Sequence, residues 1–308
     1  MRSATVRAPG TCGELVQGLI GGVLCHITCP VSVSSTVTVA LDGEPGPVRS
    51  PDGRSKTAHA VERTLRYLNA EGAGALVSVS SDLPVGKGMA SSTADVSAAI
   101  AATGLALGVP LTPEQVARLA VEVEPSDGTM FPGVALFDHL GGRVAEVMGQ
   151  PPPLEALVLD FGGTVDTLEF NRLERGALLR ELAPTVERAA DLVRRGIADG
   201  DGAIIGQGAT MSALAHQRVL YKPELPAVME FARDVGAVGV NVAHSGVVIG
   251  VLLDGVRSAR VSEETAGGLL HTARRAFPRA ESVLLTRVIG GGLRAISQQA
   301  STAPARRA

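Results

Sequence analysis

The sequence predicts an α+β protein built in two parts, and three observations carry that expectation. In the second half the apolar pattern runs strand, helices, strand, strand, helix, strand, which is the split βαβ order of a ferredoxin-like domain. In the first half a strand, a glycine-rich loop and an alanine-rich helix follow one another between residues 75 and 108. A proline run after Gln150 marks a boundary near residues 149–153, dividing the chain into 1–150 and 151–295, with an unstructured polar tail at 296–308.

The elements follow from local pattern. "VSVSSTVTVAL" (31–41) alternates apolar and hydroxyl residues, the signal of a half-buried strand. "DGEPGPVRSPDG" (42–53) is dense in turn formers and reads as a surface loop. Residues 56–72 place Ala60, Leu65 and Leu68 near helical spacing and stop at Gly72, and "ALVSVSS" (75–81) is again a strand. The Ala-rich run 91–108 is a helix whose small side chains permit close packing, and 112–124 opens with a Thr cap and Pro at the first helical position. "PSDGTMFPG" (125–133) is loop, followed by strands in "VALFDHLGGRVAEV" and "LEALVLDF". Helices are expected at about 172–198, 199–215, 223–234 and 262–275, a strand pair at 237–254 and a strand at 282–288.

Composition narrows the function classes. The chain has 308 residues, 45% hydrophobic and 19% charged, enough to bury a core. A net charge of −3 leaves no broad basic surface for nucleic acid, and 3% aromatics without Trp provide no platform for stacking bases. Three cysteines make no disulfide framework. Cys25 and Cys29 flank His26, but "GGVLCHITCPVSVSS" (21–35) reads as a buried strand where small thiols pack, and a closed zinc site wants four ligands. "MRSATVRAPG" lacks the apolar core of a secretory signal, and no apolar run is long enough to span a bilayer, so the expectation is a cytoplasmic protein without membrane contact. Lysine is scarce: only Lys56, Lys87 and Lys222.

The stretch "DLPVGKGMASSTADVSAA" (82–99) carries the chemistry. A strand, a glycine-rich loop and a helix opening Ser-Ser-Thr make an anion site, because the first N–H groups of a helix lack internal partners and its dipole is positive there. Gly86 and Gly88 let the backbone approach a phosphate, and Ser91, Ser92 and Thr93 supply hydroxyls. It is not the common P-loop, whose first glycine would stand where Ser81 does. The bland alternative is a turn with a serine helix cap.

"LPVGKGMASSTA" resembles the second motif of the GHMP kinases, Pro-x-x-x-Gly-Leu-Gly-Ser-Ser-Ala, with Ala90 where the family has its second glycine. "APGTCGELVQG" (8–18) resembles the first motif and "NVAHSGVVIGVLL" (241–253) a reduced third. The resemblance covers residues 4 to 290 and implies an N-terminal ribosomal S5-like α/β domain with a C-terminal ferredoxin-like one. It also implies ATP as phosphoryl donor with Mg²⁺, bound by Pro84, Val85, Gly86, Lys87, Gly88, Met89, Ala90, Ser91, Ser92 and Thr93. "PGTCGELVQG", "GKGMASSTAD" and "EPSDG" with "MFPG" resemble the branch acting on L-threonine, which supplies threonine phosphate for the cobalamin side chain. Homoserine, serine or another small alcohol is the alternative acceptor, and a nucleotide-binding sensor without catalysis the alternative class.

Roles follow from what phosphoryl transfer needs: a held γ-phosphate, neutralised charge and an oriented hydroxyl. Asp127 is the candidate to orient the hydroxyl and accept its proton; an Asp-Gly turn is the plain alternative. Glu122 is preferred to Glu124 as partner of Ser92 on Mg²⁺, since Glu124 precedes Pro125 and falls outside the helix. Glu14 is the candidate for the α-ammonium of an amino acid. Thr11 stands where many relatives have Lys or Arg, and Lys87 is the substitute cation. Thr11, His244, Ser245 and Gly246 complete the expected substrate site. His139 and Asp138 are neighbours on a strand and point to opposite faces, which argues against a joint role.

Overall fold

The computed structural model describes residues 2–163, 175–255 and 263–296. The first two strands are long: β1 (Arg2–Ile20) and β2 (Val23–Pro45) pair antiparallel along nearly their whole length. Gly21 and Gly22 join them, both with positive φ, as the twist of a two-residue hairpin requires. β3 (Val48–Arg49), α1 (Ser55–Tyr67), β4 (Ala73–Ser81), α2 (Ser91–Leu107) and α3 (Pro113–Val123) follow. The expected start of α3 is a full capping box: Thr112 and Gln115 each bond the other's backbone N–H. A short 3₁₀ turn (Gly128–Met130) lies in the loop expected at 125–133, and β5 (Val134–Phe137) and β6 (Ala145–Gly149) close the first half.

Beyond residue 150 come β7 (Leu154–Asp160), α4 (Gly176–Asp199), α5 (Gly202–His216), α6 (Leu225–Asp234), β8 (Gly239–Val242), β9 (Ile249–Asp254), α7 (Glu263–Ala276), β10 (Ser282–Val288) and β11 (Arg294–Ile296). The strands run β8-β9-β7-β10, all antiparallel, a sheet that fits the ferredoxin-like domain expected from the order of elements along the chain. The tail expected at 296–308 lies outside the described residues except for Ile296, which ends β11. No described helix is long and apolar enough to cross a membrane.

One sheet links both halves, because β1 meets β8 at Glu14↔Val242 and β2 meets β10 at Val31↔Val288. A large apolar cluster packs β1 and β2 against α1, α2 and α4, with Leu15, Ile27, Ile100, Phe131 and Phe137 fully buried. A second fills the space between β7–β10 and helices α6 and α7. α2 is buried almost all round, and its Ala and Ser side chains are what allow this. Its one buried charge, Asp95, accepts from Ser35 and Arg54, so burial raises its pKa without leaving it unpartnered.

Candidate active site

A cleft of about 600 Å³ opens where the N-terminus of α2, the loop before it, the start of α1, the 124–127 loop and the β8–β9 turn converge. Its walls include Val85, Gly86, Gly88, Met89, Ala90, Ser91, Ser92 and Thr93. The sequence-predicted loop is therefore at the mouth of a helix, aimed into a concavity. Ala90, the residue before α2, has φ +56 and ψ 31. An alanine holds the left-handed conformation for which the family motif uses glycine, at a cost of about 1 kcal/mol. Gly88 (φ +86) sits so close to the β8–β9 turn that a Cβ would come 2.5 Å from Ala243 Cβ and 2.8 Å from Gly246 Cα.

The loop is anchored from behind. Thr11 N donates to the Met89 carbonyl at 3.1 Å, and Val247 and Val248 donate to the Lys87 carbonyl at 3.1 and 3.3 Å. These contacts correct several expectations. Thr11 is fully buried and braces the loop from the core without lining the cleft. Gly246 packs face to face with Gly88, and its carbonyl accepts from buried Lys222 at 2.7 Å. Pro84 is likewise absent from the walls. Lys87 turns away: its Nζ lies 2.7 Å from Glu281 and 3.2 Å from Asp160. The hydrogen bond to Glu281 leads the causes that raise its pKa, with Asp160 assisting. Lys87 is a clamp between the loop and the C-terminal half, because two carboxylates outcompete an open cleft for its charge.

The expected preference for Glu122 is also corrected. Glu122 lies at the surface in an ion pair with Arg63. Glu124 is indeed outside the helix, with extended φ −163 and ψ 162, and that turn directs its carboxylate inward. There it accepts from the Ser92 hydroxyl and pairs with Lys56 at 2.5 Å. Ser92 and Glu124 offer two hard oxygen donors beside the α2 N-terminus, a set suited to Mg²⁺.

The acidic floor is built by a bulge in β1. Gly13 has φ +56, and a Cβ there would meet the backbone of Val242 and Ala243 at 2.6 Å. The irregularity re-aims Glu14 into the cleft. Glu14 is 3% exposed, its Oε2 has no hydrogen-bond partner, and burial followed by the nearby Asp127 charge pushes its pKa well above the ordinary range. Asp127 also lines the cleft; its N–H donates to Thr93 Oγ1 at 3.2 Å and its Oδ1 lies 3.4 Å from His26 Nδ1. Burial raises the Asp127 pKa, moving a carboxylate toward the range useful for a base at neutral pH. Ser126 N donates to the His139 carbonyl at 2.9 Å, fixing this loop to the end of β5.

His244 and Ser245 line the cleft, and beside them stand residues to which the sequence reading gave no place in the site: His26, His139, Arg54, Lys56 and Ser126. One signal could have found some of them. Each of the three lysines serves this region: Lys56 on Glu124, Lys87 on Asp160 and Glu281, and Lys222 on Gly246. His26 and His139 carried no local signal for this site, since they come from β2 and the end of β5.

Comparison with known proteins finds relatives along most of the chain. Residues 55–133 match the model of the GHMP kinases N-terminal domain. L-threonine kinase of Salmonella typhimurium is 37% identical over 254 residues, 82% of this chain and 83% of that one. L-threonine kinase of Citrobacter freundii is 35% identical over 82% of this chain and 86% of its own length. Among solved structures, homoserine kinase from Cytophaga hutchinsonii superposes with a TM-score of 0.69 at 20% identity, covering 96% of this chain and 98% of that one. With a relative above one-third identity along four-fifths of both sequences, the chain belongs to the GHMP kinases, phosphotransferases that act on an alcohol.

Proposed function

We propose that the protein transfers the γ-phosphoryl group of ATP to the side-chain hydroxyl of L-threonine, giving ADP and O-phospho-L-threonine. The observation that carries this reading is the pairing of Asp127 and Glu14 on the floor of a cleft whose wall is the α2 N-terminus, in a chain similar to two L-threonine kinases. The backbone of residues 86–93 receives the phosphates. Mg²⁺, held by Ser92 and Glu124, would neutralise phosphate charge.

Asp127 accepts a hydrogen bond from the acceptor hydroxyl and takes its proton as the oxygen–phosphorus bond forms and ADP leaves. Glu14 receives the α-ammonium at Oε2. Its buried, unpartnered oxygen gains the partner it lacks, and the cation restores ionisation of the carboxyl. Arg54 and Lys56 add positive charge along the same wall. The resemblance to the threonine branch extends the reading to supply of the cobalamin side chain.

The test is ADP release by the purified protein with L-threonine, in wild type, Asp127→Asn and Ser92→Ala. The expected loss for Asp127→Asn is about 10²–10⁴-fold in kcat. Wild-type rates in both variants would remove the site from the reaction.

A further inference from the structure

Four of the six histidines gather at one place: His26, His139, His216 and His244. The His26 and His139 rings stack 3.8 Å apart at 11°, and His244 lies 4.3 Å from His26 and 5.2 Å from His139. Phosphoryl transfer as derived above uses none of these rings. We propose that His26, His139 and His244 form a binding site for a borderline divalent transition-metal ion such as Zn²⁺ or Co²⁺, separate from the oxygen pair Ser92–Glu124.

Three independent features point there. First, one ring nitrogen from each of the three lies within 4.8 Å of the others. The edge of a tetrahedron with bonds of ~2.05 Å is about 3.3 Å, so binding turns the His26 and His139 rings out of their stacked alignment until their lone pairs meet at one point. Second, His26 Nε2 is buried without a hydrogen-bond partner, and His139 keeps a ring nitrogen besides the one turned to the Leu24 backbone, although both side chains are only 3% exposed. Buried polar atoms usually find a partner, and unpartnered ones that converge mark a ligand position.

Third, two of the rings already carry the outer contacts that orient metal-binding imidazoles. His244 Nδ1 donates to Gln17 Oε1 at 2.8 Å, which leaves the lone pair on Nε2. Gln17 is itself held, its Nε2 donating to the Val242 carbonyl at 3.1 Å. His26 Nδ1 faces Asp127 Oδ1, the carboxylate–histidine arrangement. Burial keeps all three imidazoles neutral at pH 7, the form that binds metal. Imidazole donors select zinc-like ions, whereas the carboxylate and hydroxyl at Ser92–Glu124 suit magnesium. The cleft side leaves a fourth position for water. An ion there sits beside Asp127, where the acceptor hydroxyl is handled, so occupancy inhibits the kinase.

The test titrates the metal-free full-length protein with Co²⁺ alone and follows visible absorption. One equivalent of Co²⁺ should give the intense bands of a four-coordinate ion, displaced by Zn²⁺. Affinity should drop at least tenfold in His139→Asn and in His244→Asn but not in Ser92→Ala. X-ray absorption of the Zn²⁺-loaded wild type, which needs no variant, should show imidazole scattering from three ligands. Absence of the bands, bands that persist in a His139→Asn/His244→Asn double variant, or a zinc shell without imidazole would each overturn the site.

Discussion

Replacing Gly88 by alanine tests how the nucleotide loop is held. Gly88 has φ +86, so any Cβ pays the left-handed penalty of about 1 kcal/mol. The added carbon would also stand 2.5 Å from Ala243 Cβ and 2.8 Å from Gly246 Cα, and overpacking of that kind adds about 2 kcal/mol. Gly108 separates the two effects: its φ is +78, but nothing lies within 4 Å of a Cβ there. Gly108→Ala should therefore cost about 1 kcal/mol and Gly88→Ala about 3 kcal/mol. For a chain of this size that is about 1.5 °C against about 5 °C in Tm. Thermal unfolding of both variants, with KM for ATP beside it, is the assay. Only Gly88→Ala should raise KM, because relief of the collision moves the loop off the β8–β9 turn. Equal Tm shifts with an unchanged KM would refute the argument that this contact sets the loop.

Other outcomes follow from the same geometry. Ala90→Gly should stabilise the protein by about 1 kcal/mol in urea unfolding, since glycine carries no left-handed penalty; a loss of stability would contradict the conformation at φ +56. Glu124→Gln should lower kcat/KM for ATP at least about tenfold and raise the Mg²⁺ needed, while Glu122→Gln, which breaks an exposed pair with Arg63, should cost under about 1 kcal/mol and leave turnover intact. Burial lowers the Lys222 pKa from 10.5 to about 8, so between those values the unfolded chain binds more protons and stability rises with pH. Relative to Lys222→Met, the wild type should gain up to about 3 kcal/mol as pH rises from 7.5 beyond 10; a pH-independent difference would show the ammonium is not desolvated.

What the sequence revealed was what is local. A strand, a Gly-rich turn and Ser91-Ser92-Thr93 announce an anion site because a helix N-terminus works through its own backbone. Thr112, Pro113 and Gln115 announce the start of α3 for the same reason. Direction was not legible. Lys87 looked like a phosphate ligand until Asp160 and Glu281, 73 and 194 residues away, came beside it. Glu124 was correctly placed outside α3, yet only the tertiary path of the chain shows that its extended backbone turns toward Ser92. His26 and His139 meet because β2 pairs with β5 at His26↔Phe137, a long-range register that periodicity does not encode.

Acceptor identity is decided by kcat/KM measured with ATP against L-threonine, L-homoserine and L-serine. Turnover should be strongest on L-threonine, with O-phospho-L-threonine as the product. Turnover on L-homoserine without turnover on L-threonine would contradict it.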